Sequence, residues 1–324
     1  MSALFVTDPL EGLEADIDAT VGLMPTTQQH DAAVWVCEPE DLSVEEGRLR
    51  ARARRITLRP RARRGDHRWR IDPTWFDEEE RRILDVAATV QTVLLRIDPP
   101  VDTRYLHTTY VLDVAAAGGV TVANNPGGVR ALHEKLGALR FPDLCPPTLV
   151  SADPAAVRSF VDVQGAVVVK PVDGFAGTDV WLLRRHDPNV DSLVESATRL
   201  GRRHVIAQQY LAAVDAGNKR LFLLDGEIIG AVLRRPSPTD FRIGPPVVPA
   251  AIDEHDHRIV AALAPTLAAN GIVMAGLDVI DGRLIEVNVT CPGGMHKTDA
   301  LLGTDLSGAT MRRLLAPTHE RVRP

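Results

Sequence analysis

Short apolar runs separated by longer amphipathic stretches set the rhythm of the first third of the chain. Leu4-Phe5-Val6, Ala32-Ala33-Val34-Trp35-Val36 and Thr92-Val93-Leu94-Leu95-Arg96-Ile97 are predicted as buried strands. Asp98-Pro99-Pro100 stops the last of them, because proline cannot extend a ladder. Arg48, Arg50, Arg52 and Arg54 alternate with Leu49, Ala51 and Ala53, the period of a strand with one solvated face. Glu79 to Ala88 has helical spacing, and Thr103 to Ala117 reads as a helix closed by Gly118-Gly119. Strands separated by helices predict a parallel α/β domain up to about Asn125.

A different pattern begins at Pro126-Gly127-Gly128. Val129 to Leu139 reads as a helix, with Pro142 and Pro146-Pro147 marking a break. Ala166-Val167-Val168-Val169-Lys170, the loop Asp173-Gly174-Phe175-Ala176-Gly177 and Val180-Trp181-Leu182-Leu183 follow as strand, glycine loop and strand. That is a hairpin, and not the strand-loop-helix of a Walker or dinucleotide site. Val205 to Tyr210 is a further strand. Arg220 to Leu224 and Ile228 to Val232 form a hairpin around Asp225-Gly226, and Met274 to Ile280 with Arg283 to Val289 another around Asp281-Gly282. His257 to Ala269 fits a helix between them. No internal repeat or low-complexity segment interrupts the pattern.

Composition narrows the class. A chain of 324 residues with 45% apolar and 25% charged content buries a large core and divides into more than one packed unit. The net charge of -6 argues against a general phosphate-backbone binder. The arginines between Arg48 and Arg70 lack the interleaved aromatics of a single-strand platform, so they read as an exposed Arg-rich hairpin and no nucleic acid partner is expected. Cys37, Cys145 and Cys291 lie far apart with no C-x-x-C pair, which excludes a disulfide framework and a zinc ribbon and fits a reducing cytoplasm. The start lacks a basic, then apolar leader, and no run reaches membrane-spanning length, so export and membrane insertion are not expected.

Two residue sets carry candidate chemistry. Glu286 and Asn288 are two apart on one predicted strand, and Asp278 lies on the strand before it, so two carboxylates and an amide converge on one sheet face. Such hard oxygen donors suit Mg²⁺ held together with a phosphate, although a solvated polar face has the same letters. The flanking apolar residues Ala275, Leu277, Leu284 and Ile285 weigh against solvation. Only four of 37 basic residues are lysine, namely Lys135, Lys170, Lys219 and Lys297, which marks them as positions where a compact ammonium is needed. Lys170 ends a strand just before Gly174 and Gly177, where backbone N-H groups can approach an anion. Taken alone, Lys135 is a surface helix lysine, and Gln208-Gln209-Tyr210-Leu211 suits an adenine edge or any half-buried strand.

In order and spacing, Glu134-Lys135-Leu136, Val169-Lys170-Pro171-Val172-Asp173-Gly174, Gln208 to Leu211, Asn218-Lys219-Arg220, Gly276-Leu277-Asp278 and Glu286-Val287-Asn288-Val289-Thr290 resemble the ATP-grasp superfamily, and within it the bacterial glutathione synthetase family. Val6-Thr7-Asp8-Pro9, Arg96 to Thr103 and Asp225-Gly226-Glu227 extend the resemblance over nearly the whole chain. It implies an α/β fold: an N-terminal parallel α/β domain (1–125), then an ATP-grasp domain whose two α+β subdomains (126–204 and 205–316) hold ATP between them, and a tail (317–324). Lys135 and Lys170 would contact ATP phosphates beside Gly174 and Gly177, Gln208, Gln209, Tyr210 and Leu211 the adenine, and Asn218 and Arg220 the nucleotide. Arg220 would also face the transferred phosphate, and Asp278, Glu286 and Asn288 would hold Mg²⁺, or Mn²⁺ in its place. The resemblance further implies a homo-oligomer acting on a small carboxylate and an amine.

Departures from the family concentrate on the substrate side. The segment Arg234 to Pro246 is shorter and richer in proline than the glycine-rich lid usual there, which predicts a stiffer lid. Cys291-Pro292-Gly293-Gly294-Met295-His296-Lys297 stands where the family has Ser-Pro-Thr, Ile97 replaces a polar residue, and Ala176 replaces a loop glycine. Asp98, Arg234, Arg242, Thr290, Gly293, Gly294 and Lys297 are the candidate substrate contacts. Two functions follow. One is an ATP-dependent ligase that joins a carboxylate to an amine through an acyl phosphate, either γ-glutamylcysteine with glycine or, as the departures favour, another pair. The other is a catalytically silent ATP-binding regulatory or scaffold protein of the same fold.

Overall fold

In the computed structural model, which describes residues 2–174, 177–237 and 240–316, the opening strand β1 (Ser2–Thr7) is buried along its whole length. It is followed by α1 (Ala19–Gln29), β2 (Ala33–Cys37), β3 (Leu42–Glu45), β4 (Arg48–Leu58), the short pair β5 (Ala62–Arg63) and β6 (Trp69–Arg70), and β7 (Phe76–Asp85). Then come α2 (Val86–Thr89), β8 (Thr92–Arg96), α3 (Thr103–Ala117) and β9 (Thr121–Ala123). The sheet runs β3-β4-β2-β1-β8-β9, with β7 on the other side of β4. The neighbours among β1, β2, β8 and β9 pair in parallel, while β3, β4 and β7 form an antiparallel ribbon. In that ribbon Leu49, Ala51 and Ala53 are buried, as their alternation with arginine predicted.

The helix expected over Glu79 to Ala88 is not formed. Residues 76–85 are strand β7, and the chain turns helical only at Val86. The register sets Arg55 opposite Glu80 and Arg50 opposite Asp85, and the ion pairs Arg55–Glu79 (2.9 Å) and Arg50–Asp85 (3.2 Å) tie the two strands together. Local spacing loses to a partner strand that offers complementary charge and a ladder edge.

The middle of the chain holds α4 (Pro126–Ala131), β10 (Thr148–Ser151), α5 (Pro154–Gln164), β11 (Ala166–Pro171), β12 (Trp181–Arg184), α6 (Val190–Ala197) and β13 (Val205–Gln209). Its antiparallel sheet is ordered β10-β13-β11-β12. Val157, Val161 and Val194 of the helices pack with Val167, Val169 and Ala207 in a core of their own. The helix expected over Val129 to Leu139 stops at Ala131, and a separate 3-10 turn covers Gly137–Arg140. Tertiary bonds take the chain between them: the Glu134 carbonyl accepts from the Val287 N-H at 2.9 Å, and its carboxylate from the Thr290 N-H at 3.3 Å.

The last part contains β14 (Asn218–Leu224), β15 (Glu227–Ser237), β16 (Asp240–Pro249), α7 (Glu254–Ala269), β17 (Met274–Ile280), β18 (Arg283–Asn288), α8 (Met295–Leu302) and α9 (Leu306–Leu315). Its antiparallel sheet is ordered β16-β15-β14-β17-β18. Both predicted hairpin turns are present, Asp225 and Gly226 at φ 51° and 79° and Asp281 and Gly282 at 50° and 65°. The proline-rich stretch after Arg234 is strand rather than loop: β15 and β16 pair through a register broken around Arg234 and Pro236, as prolines at an edge require. Phe175, Ala176, Pro238, Thr239 and the tail 317–324 lie outside the described residues. Helix α9 returns to the first sheet, where Met311 and Leu314 join Leu23 and Met24 in one core.

The seam between these parts is tight at Gly128, where a Cβ would sit 1.9 Å from the Asn270 carbonyl oxygen. Gly128→Ala is expected to cost about 3 kcal/mol or more, measured as a fall in urea midpoint with unchanged slope.

Candidate active site

A cleft of about 1100 Å³ lies between the second and third sheets and opens toward the N-terminal sheet. Its densest chemistry sits on one wall. Arg220, Asp278 and Glu286 are direct neighbours across β14, β17 and β18, and Asn288 lies two residues beyond Glu286 on the same face. Strand alternation thus delivers the predicted carboxylates and amide side by side. Asp278 is 6% exposed and takes the Arg220 Nε at 2.7 Å on one oxygen and the Arg220 Nη2 at 3.1 Å on the other. Arg234 donates to the first of those oxygens as well, and to the Asn218 side-chain oxygen at 2.8 Å. Gly276 makes room for this fork, since a Cβ there would meet the Arg220 Nη1 at 2.8 Å.

Burial pushes the Asp278 carboxyl up, but Arg220 and Arg234 outweigh it and hold the group below the usual carboxylate range. Burial pulls the Arg234 guanidinium down to about 10, with Asp278 opposing and Arg220 adding to the fall.

The opposite wall brings the lysines. Lys170 is the penultimate residue of β11 and is 8% exposed. Burial lowers its pKa, Glu286 opposes that, and Lys135 reinforces it. Lys135 stands 3.3 Å from Glu286 and also donates to the Gly174 carbonyl, so the two lysines flank one carboxylate beside the glycine loop. Gln208, Gln209, Tyr210 and Leu211 line the same cleft, with the Gln208 amide nitrogen bonded to Thr148 at 3.0 Å. Arg242 crosses from the β15–β16 hairpin to the Gly177 carbonyl at 3.4 Å, so that hairpin overhangs the cleft.

Of the residues singled out from the sequence, all but Thr290 and Lys219 border this cleft, including Asp98, Gly293, Gly294 and Lys297. Thr290 is buried and gives its hydroxyl to Glu134. Lys219, one of the four scarce lysines, points away and pairs with Asp253 (2.8 Å) and Asp256 (2.5 Å) at the start of α7. The sequence reading missed Arg96, which borders the cleft, and the apolar wall of Val168, Ile280 and Ile285, indistinguishable in sequence from core positions. It also missed Glu134, whose carboxyl is pushed up by burial and by Glu286.

The chain matches two family models, prokaryotic glutathione synthetase, N-terminal domain, over residues 1–130, and prokaryotic glutathione synthetase, ATP-grasp domain, over residues 134–303. This chain belongs to the prokaryotic glutathione synthetase family. It is 40% identical to the glutathione synthetase of Thermosynechococcus vestitus over 98% of its own length and all of that protein. To the Xanthomonas campestris glutathione synthetase it is 34% identical, over 98% and 99% of the two chains. Among solved structures, D-cycloserine synthetase DcsG superposes with a TM-score of 0.64 at 20% identity over 97% of this chain and all of that one. The ATP-grasp ligase PsnB bound to its minimal precursor gives 0.63 at 18%, over 97% and 99%. Family membership makes the protein an ATP-dependent carbon-nitrogen ligase.

The residues present fit a magnesium-nucleotide. Among the described residues no three His, Cys, Asp or Glu side chains gather into a self-sufficient metal cage. Two adjacent carboxylates and an amide, facing lysines across a cleft, instead suit an ion that draws its other ligands from phosphate and water. No helix among the described residues is long and apolar enough to cross a membrane.

The charges that face one another across the cleft are interdependent, so removing members has opposite effects. Asp278→Asn leaves two buried guanidiniums short of their counter-ion and is expected to destabilise the protein by about 3 kcal/mol. Lys170→Met removes a buried cation and is expected to raise stability by about 1–2 kcal/mol while abolishing turnover. Because the Lys170 pKa is depressed in the folded state, this gain is full below that depressed pKa and narrows as pH rises through it toward the ordinary lysine range. Urea unfolding across pH measures both.

Proposed function

We propose that the cleft binds ATP with Mg²⁺ and uses it to activate a carboxylate as an acyl phosphate, which an amine then converts to an amide. The observation that carries this reading is the meeting of Arg220, Arg234, Lys170 and Lys135 around Asp278 and Glu286 in one cleft. Asp278, Glu286 and Asn288 would hold the metal, whose contribution is to neutralise and align phosphate oxygens. A cation held by Asp278 would compete with Arg234 for the oxygen that Arg234 now engages. Lys135 and Lys170, at the glycine loop, would hold the phosphate chain from the other side. Gln208 to Leu211 with Val168, Ile280 and Ile285 offer polar edges and apolar faces to the adenine.

Arg220 links the two halves of the reaction. Its Nη1 reaches the Gly293 carbonyl at 3.3 Å, so the side chain that neutralises Asp278 also borders the turn before α8, where the carboxylate substrate would lie. A carboxylate oxygen attacks the terminal phosphorus and ADP leaves. The amine nitrogen then attacks the acyl carbon, phosphate leaves, and the nitrogen loses a proton. A fixed guanidinium beside both steps stabilises the charge on the moving phosphoryl group.

γ-Glutamylcysteine and glycine are the reference pair for this family. The β15–β16 hairpin and the turn from Cys291 to Lys297, which differ from the family pattern, favour a second reading in which the pair is different. Nothing in the site favours a catalytically silent protein.

ADP release with ATP, Mg²⁺ and candidate pairs tests the proposal. Turnover with γ-glutamylcysteine and glycine is the expected outcome, and Lys170→Ala should lower kcat/KM about 10³-fold. Silence with that pair but ADP with another would transfer the assignment to the second reading.

A further inference from the structure

The arginine-rich stretch between Arg48 and Arg70 reads in sequence as a solvated hairpin, but its last part is fastened to the substrate end of the cleft. β5 and β6 pair at only two positions, Ala62 with Arg70 and Arg63 with Trp69, too short a ladder to hold itself in place. Two sets of tethers hold it instead. Toward α8, the Trp69 indole N-H donates to the His296 carbonyl at 3.0 Å, and Arg63 donates to the Ala300 and Leu301 carbonyls at 3.0 and 3.1 Å. Toward the segment before α1, the Trp69 backbone N-H donates to the Asp16 carbonyl at 3.0 Å, and Arg68 to the Asp16 carboxylate at 2.7 Å.

Side chains close the same joint. Trp69 and His296 stack with ring centroids 5.3 Å apart and planes 12° from parallel. The Arg61 guanidinium stands 4.3 Å from the Trp69 ring centre and 3.3 Å from His296 Nδ1. Burial, with Arg61 adding to it, lowers the fully buried His296 ring to about 3, so the imidazole is neutral and carries one N-H. Nδ1 faces a cation that can only donate, which leaves the proton on Nε2, and Nε2 gives it to the Ala15 carbonyl at 3.3 Å. Gly22 of α1 leaves room for the ring, since a Cβ there would meet the His296 Cβ at 2.7 Å. A buried imidazole with both nitrogens partnered and both neighbours fixed specifies one geometry, which an apolar filler of the same size would not.

Neither Trp69 nor His296 borders the cleft, yet the segments that they join do. Glu14, Ile17 and Asp18 line it at the approach to α1, and Gly293, Gly294 and Lys297 at the start of α8. The Gly293 carbonyl also takes the Arg220 Nη1, so the place of this turn bears on the arginine beside the chemistry. We propose that Trp69 and His296 are positioning residues for the carboxylate substrate: their stack and its hydrogen bonds set the separation between the segment before α1 and the turn before α8, and with it the fit of the cleft at that end. This rests on the ligase reading above and adds to it a part of the N-terminal domain that never touches substrate. Groups that meet a substrate are only as well placed as the packing behind them, and a shift of about 1 Å is enough to weaken a fit.

Steady-state kinetics of the full-length protein with ATP, Mg²⁺, γ-glutamylcysteine and glycine tests the role in two variants. Trp69→Leu removes the ring and the indole N-H, whereas Trp69→Phe keeps a ring to stack and loses the bond to the His296 carbonyl. KM for γ-glutamylcysteine is expected to rise about tenfold in Trp69→Leu and about threefold in Trp69→Phe, with KM for ATP unchanged. No rise in Trp69→Leu, or an equal rise in KM for ATP, would overturn the role. If Trp69→Leu does not fold, Trp69→Phe decides alone: the selective rise upholds the role and its absence overturns it. If the natural protein releases no ADP with this pair, that part of the ligase reading fails on its own, and the joint is judged by amide hydrogen exchange. Faster exchange in Trp69→Phe confined to residues 12–18 and 294–302 upholds it. Unchanged exchange there, or faster exchange that extends to β13, overturns it.

Discussion

A carboxylate buried between two guanidiniums is the interaction around which the second half of the chain is arranged. Asp278 takes bonds from Arg220 on one neighbouring strand and from Arg234 on the strand beyond it, so three strands are pinned in register by one acid. Such a group is expensive to bury and is retained only where its charge is answered from several sides. Here the answering groups also constitute the site. The same oxygens that organise the sheet are those a divalent ion would use.

From this constraint the layout of the cleft follows. β17 and β18 are a tight hairpin, so Glu286 must lie beside Asp278. Glu286 in turn draws in Lys135, whose backbone is held there because the preceding residue, Glu134, accepts from Val287 and Thr290. The third sheet thereby reaches across to the element that carries the glycine loop. Arg220 and Arg96 then hold consecutive carbonyls of the turn before α8, which joins the N-terminal sheet to the same centre. Two arginines of different sheets are thus tied to one short run of backbone.

The distribution of departures from the family pattern has a physical basis. Residues that would neutralise phosphate must present fixed charge at fixed spacing, and the residues proposed for that role match the family pattern. Residues after Asn288 and around the β15–β16 hairpin would meet substrate in the proposed reaction, whose shape differs between enzymes, and it is these that differ from the family pattern. The hairpin shows how an altered segment keeps its place: Pro245, Pro246 and Pro249 sit in the outer strand β16, Pro236 lies in β15 beyond its last pair with β14, and Arg242 still reaches Gly177.

Much of this was legible in the chain before folding. Period-two alternation placed Leu49, Ala51 and Ala53 inward, Asp-Gly pairs marked both hairpins of the last sheet, and a two-residue spacing put Glu286 and Asn288 on one face. These are local properties, decided by backbone sterics and side-chain direction. Tertiary structure decided the rest. Residues 79–85 became strand because β4 offered them charge and an edge, and the helix after Pro126 ended early because Glu134 was needed by β18 and Thr290. Of the four scarce lysines, Lys135, Lys170 and Lys297 border the cleft, whereas the alternation of β14 turns Lys219 toward α7. Arg96 looked like part of a buried strand, and only the folded chain shows that its donors reach Thr20 and Pro292 and meet no carboxylate among the described residues, since whether a buried group is paired depends on residues far away in sequence.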